Sequence, residues 1–219
     1  MVEITLVRHG QAQTGAQDEE SYDNLSDLGR QQARWLGDHF AATGRGFDTV
    51  ISGTLNRQHD TAQLIADAVG ASVSQDKRLN ELDYFGLADS LRDTHAVKMP
   101  TSRAEFISHL PQVLTAWEAG EIHAHLESFT AFETRIADMI ALAEAQGGRV
   151  LFVTSGGVIG MAMRLLLGLQ VQSYANVLLQ IYNSSVHRYI KLGDVLALDT
   201  FNAVPHLEDP ARAHARTYI

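Results

Sequence analysis

The chain has 219 residues of ordinary globular composition, which favours one domain, with or without an inserted subdomain. It contains no cysteine, so disulfides, thiolate metal sites and cysteine nucleophiles are excluded. The formal net charge of −9 argues against a nucleic-acid partner, and an anionic substrate would have to be held by positive charge gathered locally.

The N-terminus and the apolar segments predict a cytoplasmic protein. The chain starts directly with strand-forming residues and has no basic segment before an apolar one, so we expect no signal peptide. The most apolar stretch, 156–169, is too short to span a membrane and carries Arg164. We therefore expect no membrane partner.

Hydrophobic patterning predicts strands that alternate with helices. Strands are expected at 2–7, 47–51, 71–74, 149–153, 179–191 and 195–201, with a Gly193-Asp194 turn joining the last two. Helices are expected from Ser26 or Asp27 to Thr43, and at 54–69, 128–145 and 156–167. Segment 85–126 is interpreted as a helical insertion that covers a site. The pattern predicts a single α/β domain over 1–219, a three-layer sandwich whose mostly parallel central sheet is flanked by helices.

Polar residues follow three of the predicted strands. The segments are Arg8-His9-Gly10, the run from Ser52 to Arg57, and Ser155-Gly156-Gly157. Ligands of such sheets bind beyond the carboxyl ends of the strands, where these groups would meet. Guanidiniums match phosphate oxygens, helix N-termini attract anions, and a neutral imidazole can act as a nucleophile. Together the three segments favour a phosphoryl site.

Each feature also has an ordinary interpretation when it is taken alone. Arg8-His9 could be a polar strand boundary, and the glycine pair could be a turn. Arg57 could be a solvated helix residue, and Glu81 could be a surface carboxylate paired with Arg78. Only the combination supports a functional site.

The same residues fall into eight segments that follow one another along the chain. They are 6–11 (Leu-Val-Arg-His-Gly-Gln), 25–33, 52–62, 79–86, 127–135, 155–159, 183–186 and 202–207. In this order and spacing they resemble the motifs of the histidine phosphatase superfamily, in its phosphoglycerate-mutase-like branch. The resemblance spans almost the whole chain and implies a phosphoglycerate-mutase-like fold.

The resemblance also implies roles for particular residues. His9 would attack phosphorus and become a phosphohistidine, while Arg8 and Arg57 would bind the phosphoryl oxygens and stabilise the transition state. Glu81 would protonate the leaving oxygen, which requires the carboxyl to hold a proton near the working pH. Ser155 and Gly156 would bind phosphate. The expected enzyme needs no metal and no cofactor.

The sequence departs from this pattern at Ser155, which stands where the family has its second catalytic histidine. Losing one preorganised donor costs roughly 10²–10³ in rate in known cases. Ser155 and the neighbouring backbone N–H groups could suffice, or another histidine could enter the pocket. His59, His187 and His206 are the candidates, although a structural role is the simpler interpretation for each.

The sequence therefore predicts a phosphomonoesterase that acts on a small phosphorylated substrate, with reduced or altered activity. A non-catalytic phospholigand-binding or regulatory module is the main alternative, and a phosphoglycerate-type mutase is a weaker one. A homodimer is possible, because the apolar stretch 174–182 could belong to a core or to an interface.

Overall fold

The computed structural model describes residues 2–13, 22–123 and 127–218. Part of the polar loop expected after Gly10, residues 14–21, lies outside the described residues. The end of the expected insertion, residues 124–126, does so as well.

The sheet of the described chain has six strands. They are β1 (Val2–Arg8), β2 (Thr49–Ser52), β3 (Val73–Gln75), β4 (Gly148–Thr154), β5 (Val186–Leu192) and β6 (Val195–Ala203). Their order is β3-β2-β4-β1-β5-β6. The first four of these are parallel, while β5 runs antiparallel to both β1 and β6. The predicted α/β fold with a mostly parallel central sheet is thus confirmed.

The helices that flank the sheet are α1 (Asp27–Ala42), α2 (Asn56–Val69), α3 (Tyr84–His95), α4 (Arg103–Glu118), α5 (Phe129–Gln146), α6 (Gly156–Leu167) and α7 (Val171–Leu178). Local chemistry sets several of their ends. The hydroxyls of Ser26 and Ser128 accept backbone N–H bonds from the first turns of α1 and α5. Gly70 and Gly168 end α2 and α6 in the left-handed conformation that glycine adopts without strain.

Alternating side chains of the central strands enter two separate cores. Ile4 and Leu6 of β1 lie in the larger core, which also contains residues of α3, α4, α5, α6 and α7. Val7 lies in the smaller core, beneath α1 and α2. Because β1 and β4 are covered on both faces, their sequences are nearly continuous apolar runs. The register pairs Arg8 with Thr154, so both strands end at the same edge of the sheet.

The strand predicted over 179–191 is wrong in its first half. β5 begins only at Val186, and α7 occupies the apolar residues before the intervening turn. Tyr174, Ala175 and Ile181 are fully buried in the larger core. Residues 179–185 form the connection between α7 and β5, and a short apolar run carries too little periodicity to distinguish such a buried connection from a strand.

No helix in the described parts of the chain combines the length and apolar character needed to cross a bilayer. Segment 84–118 contains α3 and α4, and both helices contribute side chains to the larger core.

The loop after β1 is held by close backbone packing against α1. A Cβ atom on Gly10 would overlap with the carbonyl oxygen of Gly29, and a Cβ atom on Gly29 would overlap with that of Gln11. Thr61 of α2 holds the same loop, because its hydroxyl accepts the Gly10 N–H at 3.0 Å. The two glycines therefore allow a helix to approach the end of β1 closely.

Gly29→Ala tests this contact. We expect it to lower the free energy of unfolding by roughly 2 kcal/mol, because the new methyl group meets backbone that cannot rotate away. Urea denaturation at neutral pH measures the change. Asp38→Ala, at an exposed position of the same helix, is the matched control and should change stability by less than about 0.5 kcal/mol. Equal effects of the two substitutions would contradict the packing argument.

Candidate active site

His9 follows the last residue of β1 and is 2% exposed. Its backbone N–H donates to the carbonyl of Thr154 at 2.9 Å, which ties it to the end of β4. The ring nitrogen Nδ1 lies 2.7 Å from the carbonyl oxygen of Gly10. A carbonyl oxygen only accepts hydrogen bonds, so Nδ1 carries the proton. In the neutral ring, Nε2 then keeps its lone pair.

The surroundings of His9 hold the imidazole neutral. Burial lowers its pKa well below the ordinary value, and the positive charges of Arg57 and Arg8 lower the pKa further. The hydrogen bond to Gly10 acts in the opposite direction but is the smallest of these effects. His9 therefore has the protonation state that a nitrogen nucleophile requires.

Arg8 is buried beside His9 and is anchored at one end only. Its Nη1 donates to the carbonyl oxygens of Ile181 and Tyr218, at 2.5 and 2.6 Å. Its Nε is buried and has no hydrogen-bond partner among the described residues. A Cβ atom on Gly156 would lie 4.0 Å from Nε, so this donor lies near the first turn of α6. A guanidinium beside a helix N-terminus is a combination that suits an anion.

Glu81 lies at the same helix N-terminus. Its Oε2 accepts the N–H of Gly157 at 3.0 Å, and its Oε1 accepts the N–H of Leu82 at 3.0 Å. A side chain on Gly157 would overlap with this carboxylate, so glycine is required there. The pairing of Glu81 with Arg78 that was considered as an alternative is wrong, because Arg78 binds Asp76 at 2.7 Å.

Arg57 occupies the first turn of α2 and is 1% exposed, so its interpretation as a solvated helix residue is wrong. Asp23 holds it in two ways. Its Oδ1 binds Arg57 Nη1 at 3.0 Å, and its Oδ2 accepts the N–H of Asn56 at 2.9 Å. The Tyr22 ring centre lies 4.9 Å from Arg57 Cζ and 6.5 Å from the His9 ring centre. Tyr22 therefore contacts the arginine and lies near the His9 ring.

Asp23 was missed by the sequence reasoning. It caps α2 from 33 residues away, because Leu55 at the N-cap position has no side chain that can do so. No signal in the sequence indicated this contact, because the predicted helix began at Thr54, a residue type that can cap a helix itself.

Ser155 directly precedes α6 and is fully buried. Its Oγ accepts a hydrogen bond from Nε2 of Gln58 at 2.8 Å, and the same nitrogen lies 3.2 Å from the carbonyl oxygen of Leu79. Gln58 was not singled out from the sequence. Its position beside an arginine on a helix gave no sign that it would face a residue 97 positions away.

Two of the histidines considered as replacements have other partners. The His187 ring contacts the Ser185 hydroxyl at 2.9 Å, and the His206 ring contacts the Ser184 hydroxyl at 2.8 Å. Both hydroxyls belong to the turn before β5, which donates the N–H of Ser184 to the carbonyl of His9 at 3.2 Å. Burial lowers the pKa of both rings to about 3. They support the backbone around the nucleophile in the neutral form.

The structure thus brings the sequence-predicted residues to one edge of the sheet. Arg8 and Arg57 both lie close enough to His9 to lower its pKa, and Arg8 and Glu81 both lie near the N-terminus of α6. Among the described residues, no group of three acidic or histidine side chains has the arrangement of a metal site. The arrangement can bind a phosphoryl group and attack it.

Comparison with known proteins gives the family. The sequence profile of the histidine phosphatase superfamily (branch 1) matches residues 4–203. The chain belongs to this superfamily. It is also 30% identical over 225 residues to a probable phosphoglycerate mutase GpmB from Salmonella arizonae, covering 96% of this chain and 97% of that protein.

Solved structures of other proteins are similar to this chain over most of its length. A mycobacterial glucosyl-3-phosphoglycerate phosphatase, determined as a complex with VO3, is 25% identical with a TM-score of 0.67 and covers 93% of this chain and 100% of its own. A phosphoglycerate mutase from Bacillus anthracis is 20% identical with a TM-score of 0.68, and the match covers 97% of this chain and 96% of the mutase chain. The second likeness is one of fold and confirms the predicted phosphoglycerate-mutase-like architecture.

The buried histidines predict how stability depends on pH. His9, His187 and His206 have lowered pKa values in the folded state, whereas in the unfolded chain they titrate near about 6.5. As the pH falls below that value, the three histidines become protonated in the unfolded chain but stay neutral in the folded protein. The contribution of the three neutral rings to the free energy of unfolding is therefore complete above about pH 6.5. It is lost progressively below that pH, by up to about 1.4 kcal/mol per pH unit for each ring.

Urea denaturation between pH 6.5 and pH 5 measures this loss, above the range in which most carboxylates titrate. His187→Gln removes one of the three rings and should make the fall in unfolding free energy shallower by about 1 kcal/mol per pH unit. An identical slope in the variant would show that His187 is protonated in the folded protein.

Proposed function

We propose that this chain is a phosphomonoesterase that acts through a phosphohistidine on His9. The observation that carries the proposal is the neutral His9 ring, with its lone pair on Nε2, beside two buried guanidiniums and the N-terminus of α6. The proposal also rests on the membership of this chain in the histidine phosphatase superfamily and on its similarity to a solved phosphatase structure. The substrate would be a small phosphate ester.

Binding would place the phosphoryl group between Arg8 and the first turn of α6. The Nε–H of Arg8 and the N–H of Gly156 would donate to the phosphoryl oxygens, and Arg57 would contribute further positive charge. Since phosphoryl transfer gains most from positioning and charge stabilisation, these groups supply the main catalytic effect.

In the first chemical step, the Nε2 lone pair of His9 would form a bond to phosphorus as the ester P–O bond breaks. Glu81 would give its proton to the departing oxygen, so that an alcohol leaves. In the second step, water would attack phosphorus while Glu81 takes one of its protons. The P–N bond breaks, inorganic phosphate is released, and His9 regains its neutral form.

Ser155 would occupy the position of the family's second catalytic histidine. A serine hydroxyl can donate one hydrogen bond but carries no charge, so we expect slower turnover than in a relative that keeps the histidine. The nucleophile, both arginines and the acid are all present, which favours a slow catalyst over a protein that only binds phosphate compounds.

A mutase is the second candidate, suggested by the name of the GpmB relative. A mutase has to retain and reposition a diacid, which calls for further cations around the phosphoryl site. Of the insertion's cations, Arg92 pairs with Asp89 and Asp93, and Arg103 stacks on the Tyr218 ring with Cζ 3.9 Å from its centre. These contacts favour the phosphatase.

His9→Ala tests the proposal. With an aryl phosphate as substrate, we expect at least a 10³-fold loss of kcat, because the variant has no nucleophile for the covalent step. Rapid quenching in base should trap an acid-labile, base-stable phosphoryl group on the wild type and none on the variant. Equal rates for the two proteins would sink the proposal. Thermal stabilisation by phosphate compounds without any phosphate release would favour the non-catalytic alternative.

Glu81→Gln tests the acid. It should slow the hydrolysis of an alkyl phosphate by about 10²–10³-fold but that of a nitrophenyl phosphate much less, because a good leaving group departs without a proton. The comparison of kcat/KM for the two substrates gives the answer, because kcat/KM reports the steps up to departure of the leaving group and excludes the later attack of water, in which Glu81 also takes part. A loss that is the same for both would assign Glu81 to the support of α6 through Gly157.

A further inference from the structure

Gln58 is a fully buried glutamine on the inward side of α2, one residue after Arg57. A Cβ atom on Gly53 would overlap with the side-chain oxygen Oε1 of Gln58. The glycine at position 53 therefore leaves the room that this amide occupies. Burying a carboxamide is costly unless its hydrogen bonds are made, which makes the contacts of Gln58 informative.

The neighbours of Gln58 decide which way its amide points. Leu79 presents a carbonyl oxygen, which can only accept, at 3.2 Å. The nitrogen Nε2 must therefore face Leu79, since the flipped amide would place two oxygens against each other. The same Nε2 lies 2.8 Å from Ser155 Oγ, so the amide donates to the serine.

This direction fixes the role that remains for the Ser155 hydroxyl. Its oxygen accepts from Gln58, so its proton must point elsewhere, and no described residue accepts it. Ser155 directly precedes Gly156, whose Cβ position lies 4.0 Å from Nε of Arg8. A hydroxyl proton that is shielded from water forms its strongest hydrogen bond with an anionic oxygen.

We propose that Gln58 is a positioning residue for the phosphoryl site, which rests on the proposed function. Its carboxamide occupies the acceptor side of Ser155 and thereby turns the serine hydroxyl into a dedicated donor to the phosphoryl group. Gln58 and Ser155 together supply one oriented hydrogen bond, and neither supplies it alone.

A double-mutant cycle tests this pairing. Gln58→Met keeps the volume of the side chain and removes its hydrogen bonds, and Ser155→Ala removes the hydroxyl. The wild type, both single variants and the double variant are compared by kcat and KM for an aryl phosphate and by inhibition with orthovanadate. Gln63→Met, the same substitution at an exposed position of α2, is the matched control and should behave as wild type.

We expect Ser155→Ala to lower kcat about tenfold, the order of one neutral hydrogen bond, with a smaller change in KM. Gln58→Met should lower kcat about fivefold when Ser155 is present and less than about twofold when it is added to the Ser155→Ala variant. The same loss in both backgrounds would show that Gln58 acts by packing alone and would overturn the proposal. Wild-type kinetics for Ser155→Ala would overturn it too.

Gln58→Glu provides a second test that keeps size and shape, should the methionine variant fail to fold. A carboxylate accepts the Ser155 proton and so withdraws the donor from the phosphoryl group. The loss of kcat should therefore be about tenfold larger when Ser155 is present than in the Ser155→Ala background, and equal losses would contradict the pairing.

His9→Ala separates this inference from the proposed function. Turnover that survives His9→Ala would sink the phosphohistidine mechanism and leave the pairing to be judged by binding. In that case thermal stabilisation by inorganic phosphate is measured in the same four proteins. Gln58→Met should weaken it only when Ser155 is present, and an equal weakening in both backgrounds would overturn the role of Gln58.

Discussion

The backbone of Gly10 is the constraint on which the candidate site depends. Its carbonyl oxygen accepts the Nδ1 proton of His9, its N–H donates to Thr61, and its α-carbon lies against the backbone of Gly29. Three elements, β1, α1 and α2, are thereby joined at one residue. Because the carbonyl cannot rotate, the tautomer of the imidazole is decided by the fold, and the nitrogen with the free lone pair is the one that can face a substrate.

The two arginines are held by different chemistry. Arg8 is anchored by the uncharged carbonyl oxygens of Ile181 and Tyr218, and no carboxylate among the described residues forms an ion pair with it. Arg57 is bound by the carboxylate of Asp23, which offsets part of its charge. The described residues thus hold one cation by neutral acceptors and the other by a carboxylate. This difference would suit the proposed phosphatase, which has to attract an ester and then release inorganic phosphate.

Local signals made much of this predictable from the sequence. Ser26, Ser128 and the glycine pair that opens α6 marked helix ends within a residue or two, and the polar strand ends indicated where the candidate site would lie. What escaped prediction depends on distant residues. Asp23 reaches α2 across 33 positions, and Gln58 reaches Ser155 across 97. The helix α7 was not predicted, and the strand expected from residue 179 begins only at Val186, because a short apolar run carries too little periodicity to define its conformation.

The anchoring of Arg8 has a consequence for the order in which the molecule assembles. Its Nη1 contacts partners that lie 173 and 210 residues further along the chain. Such distant contacts form late, since the entropy of closing so long a loop has to be offset by other contacts first. During synthesis Arg8 emerges 210 residues before Tyr218, so its guanidinium finds both carbonyl partners only after residue 218 has left the ribosome. The candidate anion site is thus completed late, and a nascent chain that ends before residue 218 would not yet hold it.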